Sequence, residues 1–393
     1  MRPPLYLIAA VRTPIGKFGG TLASLTAPQL GVAVAKATIE RSGIDPNAID
    51  EVIFGNARQA GVGPNAARQI AVRSGLRHEV TAYTVNQACG SGLRAIMNAA
   101  DQIRLGQAEV VLAGGTESMS NTPYMLPRAR WGYRMGNDEV IDGMTRDGFM
   151  CPLADEMMGV TAETLADRYG ITRDEQDRYA VASQAKAGRA YAENRFANEI
   201  VPVTVAGRKG DTILDRDEHP RFDVTLDSMA KLPPVFRKGG TVHAGNSSGV
   251  TDGAASMLVA SETAVRTHNL KPMARLVAYA HAGVDPKIMG IGPVPATRKL
   301  LDQTGVKLDD VDLIELNEAF AAQVIACDRE LHLDPAKLNV NGGAIALGHP
   351  IGATGARITT TLLHALQSHD KKTGLATLCI SGGMGISMLV ERV

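Results

Sequence analysis

One succession of patterns occurs twice in this chain: a glycine-rich turn, a segment of helical period, then an apolar run ending in Gly-Gly. Gly90-x-Gly92 leads to Gly114-Gly115, and Gly352-x-x-Gly355 leads to Gly382-Gly383. Few residues are identical between the two copies, but the order of the patterns is the same. Such self-similarity points to duplication, with equivalent edges of two β/α halves facing a shared site.

The surrounding sequence supports that frame. Residues 5–11 predict a strand, 27–42 a helix ended by Gly43, 52–54 a short strand, 64–74 a helix and 82–85 a strand. Leu93, Ile96, Met97, Ala100 and Ile103 recur at helical spacing over 92–105, and Val110 to Ala113 is a buried strand ending at the first Gly-Gly. The alternation resumes near 272, with strands at 275–278, 313–316, 375–380 and 386–391. Helices are expected at 294–304, from near Glu318, and from about Thr354 to Gln367. Alternation of this kind implies a largely buried sheet with helices packed on it. Between 120 and 245 the period weakens. Helices are expected over 157–169 and 173–194, the second opened by a Thr172/Glu175 capping box, and a polar stretch with Pro220, Pro233 and Pro234 follows. The expected organisation is a first half at 1–119 completed by 246–271, a loop domain over the site at 120–245, and a second half at 272–393.

With 393 residues, 45% hydrophobic but only 4% aromatic, the core must be built from Ala, Val, Leu and Ile. Equal numbers of basic and acidic residues, 41 each, give no global attraction to nucleic acid or membrane. The four cysteines form no C-x-x-C pair, which argues against a zinc site or a redox dithiol and for reduced thiols in a cytoplasmic compartment. The N-terminal segment is short and broken by Pro3 and Pro4, unlike a signal peptide, and Glu391-Arg392-Val393 is not a peroxisomal address. No apolar run approaches the ~18 residues of a membrane span.

Two thiols and a histidine sit on glycine-rich turns: Cys89-Gly90-Ser91-Gly92, Gly348-His349-Pro350 and Cys379-Ile380-Ser381-Gly382-Gly383. This combination points to nucleophilic acyl chemistry, because the thiolate is the reactive form of cysteine and a nearby imidazole helps generate it. Cys89 follows a strand and opens a helix, whose positive end favours a thiolate; a small buried residue before a turn is the plain alternative. Gly90-x-Gly92-x-x-Ala95 imitates a dinucleotide fingerprint, but Glu109 precedes the next strand instead of ending it. Gly245-Asn246-Ser247-Ser248-Gly249 imitates a serine-hydrolase turn, but the preceding run is short and Val250 to Gly253 is expected to be a loop. Asn317-Glu318-Ala319-Phe320 brings polar groups to the end of a buried strand, where α/β proteins bind ligands; a helix cap plus a core Phe is its plain alternative.

Together these stretches resemble the thiolases over essentially the whole chain. The resemblance is carried by Val11-Arg12-Thr13-Pro14-Ile15-Gly16, Val85-Asn86-Gln87-Ala88-Cys89-Gly90-Ser91-Gly92 and Gly114-Gly115-Thr116-Glu117-Ser118-Met119. Asn317 to Ala321, Asn341 to Pro350 and Cys379 to Gly385 complete it. It implies the thiolase fold, two duplicated β/α halves in an α-β-α-β-α layering with an inserted loop domain. It also implies a homodimer or homotetramer, with residues 120–145 as the assembly loop. By resemblance, Cys89 takes the acyl group from acyl-CoA and His349 activates it. Cys379 moves the α-proton, and Asn317 holds a water that completes an oxyanion site with His349. A second oxyanion hole uses the backbone N–H groups of Cys89 and Ser381. Arg221 and Ser228 would face the nucleotide of coenzyme A, and Ala244 and Ser248 its pantetheine. Met289, Ala319 and Phe320 would lie near the thioester, with Met157 also among the substrate-binding residues. Coenzyme A is a substrate, and neither a metal nor another cofactor is implied.

Two departures bear on specificity. Met157-Met158-Gly159 stands where short-chain biosynthetic members usually have His-Met-Gly, and the preceding loop Phe149 to Leu153 also differs from their pattern. Ser381 replaces a glycine, so its turn must tolerate a Cβ. The expected activity is reversible condensation of two acetyl-CoA, or thiolysis of 3-ketoacyl-CoA; a degradative enzyme for medium or long chains is the alternative. A one-cysteine ketoacyl synthase is disfavoured by the second thiol in the tail. A non-catalytic acyl-CoA binder is disfavoured by the presence of all four polar groups.

Overall fold

The computed structural model describes residues 3–393; Met1 and Arg2, part of the N-terminal segment and of the first expected half, lie outside the described residues. The first half contains β1 (Leu5–Arg12), α1 (Ala27–Ser42), β2 (Glu51–Gly55), α2 (Ala66–Arg73), β3 (Thr81–Val85), α3 (Ser91–Arg104) and β4 (Val110–Ser118). After a long excursion containing α4 (Met158–Tyr169) and α5 (Arg173–Ala192), the chain returns as β5 (Thr251–Ser261). The second half contains β6 (Pro272–Gly283), α6 (Pro293–Thr304), β7 (Leu313–Leu316), α7 (Ala321–Leu331), α8 (Ile351–Ser368), β8 (Thr373–Ile380) and β9 (Met384–Arg392).

Duplication is visible in the strand order β7-β8-β9-β6-β1-β5-β4-β2-β3. In the first half, β2 is parallel to β3 and β4, then β4, β5 and β1 are antiparallel in turn. In the second, β7 is parallel to β8, then β8, β9 and β6 are antiparallel in turn. The counterpart of β3 is reduced to a single parallel bridge between Ile314 and Leu338. Antiparallel pairing of β1 with β6 joins the halves.

Alternation of buried faces generates the layers. Leu93, Ile96 and Met97 of α3 and Ala356, Ile358 and Leu362 of α8 share one cluster with Ile53, Val111, Ala376 and Leu378. Neighbours on the same strands point the other way: Val52, Phe54 and Leu112 pack on α1 and α2, and Ile314, Leu375 and Leu389 on α6 and α7. The glycines of the repeated motif let α3 and α8 touch. A Cβ at Gly92 would meet the backbone of α8, and one at Gly355 would meet the backbone of Leu93.

Several boundaries differ from the sequence reading. The strand expected to end at Gly114-Gly115 continues through both to Ser118, pairing with Ser256 and Ala255. These glycines mark close approach instead: a Cβ on Gly115 would collide with Gly352 at the start of α8. Most of Val250 to Gly253, expected as a loop, opens the fully buried β5. The helix expected near Glu318 starts at Ala321, because Glu318 is a buried acceptor for Tyr179, Ser183, Asn339 and the N–H of Ile345. The Thr172/Glu175 capping box forms as expected. Buried Arg12 at the end of β1 binds Glu199 at 2.5 Å and Asp217 at 2.7 Å, which fastens the excursion to the first half.

Candidate active site

The repeat places the chemistry. Cys89 lies two residues before α3, and His349 lies two residues before its counterpart α8. Asn56 immediately follows β2, and Asn317 immediately follows the counterpart strand β7. Cys379 sits near the end of β8, paired with Gly385. Cys89, His349, Cys379 and Ser381 meet at one cavity of about 60 Å³. Its other walls are Arg58, Ala88, Gly148, Phe149, Met158, Ser248, Met289, Ala319, Phe320 and Ile351.

Cys89 is presented by a strained turn. Ala88 has a φ of 44°, a left-handed conformation that few non-glycine residues adopt. Ser91 holds it there: its Oγ accepts from the Gln87 N–H at 2.9 Å and donates to the Ala88 carbonyl at 2.6 Å. Burial raises the Cys89 thiol pKa, while the N–H of Ser381, the Arg58 cation and the Cys89 N–H act in the opposite direction. The residue as a whole is half-buried. The Ser381 and Cys89 N–H groups therefore flank the sulfur, the two donors expected to form an oxyanion hole. Ser381 is absent from the residues with positive φ, whereas Gly382 and Gly383 have 84° and 85°, so the turn accommodates the serine Cβ.

His349 is buried, and its Nδ1 lies 2.6 Å from Thr354 Oγ1. That hydroxyl donates to the Pro350 carbonyl at 3.0 Å, so it accepts from Nδ1–H and leaves Nε2 as the acceptor. Burial, assisted by the Arg357 and Arg58 cations, pushes the imidazole pKa down to about 3, so the ring is neutral at physiological pH. Cys379 is also buried; burial, with Cys89 and Cys327 nearby, raises its pKa well above the usual thiol value. It is a protonated thiol in the free protein.

Asn317 is 1% exposed, and neither its Nδ2 nor its Oδ1 has a partner. The equivalent Asn56 donates to Glu117 at 2.7 Å and to the Thr116 carbonyl at 3.1 Å. A buried amide left open on both sides fits a site for a water or a ligand oxygen.

Among the residues expected to bind the acyl-CoA, Met289, Ala319, Phe320 and Ser248 line the cavity. Met157 does not: it pairs with Met150 in a short hairpin, and Met158 lines the wall instead. Arg221, Ser228 and Ala244 are exposed and lie apart from this cavity. The Ser228 hydroxyl closes a capping box with Thr225 on the one-turn helix Leu226–Ala230. Arg58 and Phe149 were not singled out in the sequence as wall residues. The repeat held a signal for Arg58, which stands two residues after Asn56 as Ala319 stands two after Asn317.

Two thiols, a neutral imidazole and convergent N–H donors at the junction of duplicated halves define a site for acyl transfer through cysteine. The family model for the thiolase N-terminal domain matches residues 5–263, and that for the thiolase C-terminal domain matches residues 270–392. The chain belongs to the thiolase family. It is 52% identical over 397 aligned residues to the acetyl-CoA acetyltransferase of Syntrophomonas wolfei, with 100% of both chains covered. The crystal structure of the Bacillus anthracis acetyl-CoA acetyltransferase superposes with a TM-score of 0.98 at 46% identity, covering 100% of this chain and 99% of that one. Human mitochondrial 3-ketoacyl-CoA thiolase in complex with CoA gives 0.96 at 43% identity, covering 100% and 98%. Among the described residues no helix is long and apolar enough to cross a membrane.

Proposed function

We propose that this thiolase is an acetyl-CoA acetyltransferase, condensing two acetyl-CoA to acetoacetyl-CoA and CoA and running the reverse thiolysis. The observation that carries this reading is the pair of thiols, Cys89 and Cys379, facing one cavity beside a neutral His349. Cys89 attacks the thioester carbonyl as His349 Nε2 takes its proton, and the oxyanion is held by N–H donors. The departing CoA thiolate takes a proton from Cys379, whose high pKa keeps one available. The resulting Cys379 thiolate removes the α-proton of the second acetyl-CoA. The enolate, held by His349 and a water on Asn317, attacks acetyl-Cys89, forming the carbon–carbon bond and releasing the sulfur.

Coenzyme A enters as a substrate, with no separate cofactor. Arg221 and Ser228 would lie along its nucleotide, and Ala244 and Ser248 along its pantetheine, within a chain organised as 1–119 with 246–271, 120–245 and 272–393. The four unpaired cysteines suit a reducing cytoplasm. The protein would assemble as a homotetramer or homodimer through residues 120–145.

Steady-state and exchange kinetics test the roles. Cys89→Ala should abolish both acyl exchange and condensation; full thiolysis by this variant would remove Cys89 as nucleophile. Cys379→Ser should lower condensation by about 10²–10⁴ and acyl exchange with CoA by much less, because a thiolate can leave without a proton donor whereas the α-proton cannot leave without a base. Equal loss of both would contradict the removal of the α-proton by Cys379.

A further inference from the structure

Arg58 is a guanidinium that moves no proton and holds no substrate atom in the reaction just described, although its charge acts on Cys89 and His349. It is 7% exposed and borders the catalytic cavity. It also borders an adjoining wider space of about 630 Å³ that includes Met150, Pro152, Leu153 and Gly382. Its Nη1 reaches the Asp147 carbonyl at 3.3 Å, while Nε and Nη2 are buried without any partner. Those two nitrogens form one edge of the guanidinium fork, the edge that pairs with both oxygens of a carboxylate.

The seat is built. The guanidinium lies against Gly148, where any Cβ would collide with it, and 5.8 Å from the centre of the Phe149 ring. The nearby buried acid does not pair with it. Glu117 accepts instead from Asn56 Nδ2 at 2.7 Å and from the N–H groups of Ala57, Arg58 and Gly352 at 3.1, 3.0 and 2.8 Å. A buried charge at the wall of a cavity, whose two unpaired donors lie under Gly148, is costly unless something arrives to pair with it.

We propose that Arg58 is a specificity-determining residue that binds the far-end carboxylate of an acyl group held on Cys89, so that the enzyme accepts 3-oxoacyl-CoA substrates ending in a carboxylate. This rests on the thiolase reading and extends its acyl range. With a six-carbon substrate of this kind, Cys89 attacks C3 and the C2–C3 bond breaks. The electron pair goes to C2, which is protonated as acetyl-CoA leaves. The four-carbon group on Cys89 ends in a carboxylate, and CoA thiol then removes it as the second thioester. A methyl-ended chain of equal length would leave Nε and Nη2 unpaired.

The test is thiolysis by the whole enzyme of three substrates: acetoacetyl-CoA, and six-carbon 3-oxoacyl-CoA ending either in a carboxylate or in a methyl group. We expect kcat/KM to favour the carboxylate-ended chain over the methyl-ended one by about tenfold or more. Arg58→Leu should reverse the preference, and Gly148→Ala, which pushes the guanidinium off its seat, should weaken it. If acetoacetyl-CoA is cleaved but the methyl-ended chain is turned over equally well or faster, the proposal is overturned and the thiolase reading stands. An unchanged ratio in a folded Arg58→Leu enzyme overturns it too. The wild-type ratio decides the matter if that variant does not fold. Failure to cleave any of the three substrates would overturn both.

Discussion

Asn56 and Asn317 occupy the same step of the two halves and have opposite surroundings. Asn56 uses its Nδ2 on Glu117 and the Thr116 carbonyl, leaving only its Oδ1 without a partner, and so braces Glu117, which in turn holds the start of α8 through the Gly352 N–H at 2.8 Å. Asn317 is open on both sides of its amide. One position has therefore become structural and the other available for chemistry. Replacing each by alanine should separate the two quantities. Asn56→Ala removes a donor from a buried carboxylate and should lower unfolding free energy by about 1–3 kcal/mol. Asn317→Ala should leave the urea midpoint near that of wild type and reduce condensation kcat by about 10²–10³. Urea titration and steady-state rates on both variants check this; the opposite assignment of effects would refute it.

At the scale of elements, the crossing of α3 and α8 decides whether Cys89 and His349 meet, because each precedes its helix by the same two residues. The crossing is close because of Gly92 and Gly355. By helix propensity alone, Gly355→Ala should stabilise α8 by about 1 kcal/mol. Packing reverses that sign. The new Cβ would press on the backbone N and Cα of Leu93, which cannot swing aside as a side-chain tip can. We expect Gly355→Ala to lose about 1–3 kcal/mol instead, seen as a lower urea midpoint with unchanged slope. A midpoint above wild type would show that the helices separate at little cost.

At the scale of the whole molecule, exposed apolar side chains are most densely grouped on one segment. Tyr124, Leu126, Trp131, Tyr133, Met135 and Val140 are all exposed, Trp131 at 83% and Met135 at 98%. A monomer gains nothing from such a segment, whereas a second copy would bury it. Static light scattering should give a mass that is a multiple of 41.5 kDa, falling toward a smaller species in Trp131→Ser/Met135→Ser. A monomeric wild-type mass at micromolar concentration would exclude this assembly.

Much of this was legible along the chain because it is local. Helical and strand periods, the Thr172 capping box and the thiols on glycine-rich turns depend on neighbours a few residues away. The repeated motif announced two halves before any contact was known, and the six thiolase-like stretches pointed to the family. Other features depend on residues far apart in sequence. Gly114-Gly115 resembled a strand end, but its glycines admit the start of α8. Glu318 resembled the first turn of a helix, but buried donors from α5 and the 339–345 segment claim its carboxylate. Met158 rather than Met157 faces the cavity because a two-residue hairpin sets the register there. The amino-acid sequence by itself determined the elements, their duplication and the kind of chemistry, since these follow from pattern and residue type. Only the tertiary structure decided that His349 is neutral, that Asn317 is open and that Arg58 is buried without a partner. Burial and hydrogen-bond satisfaction are properties of the packed chain, set by groups that folding brings together from distant segments.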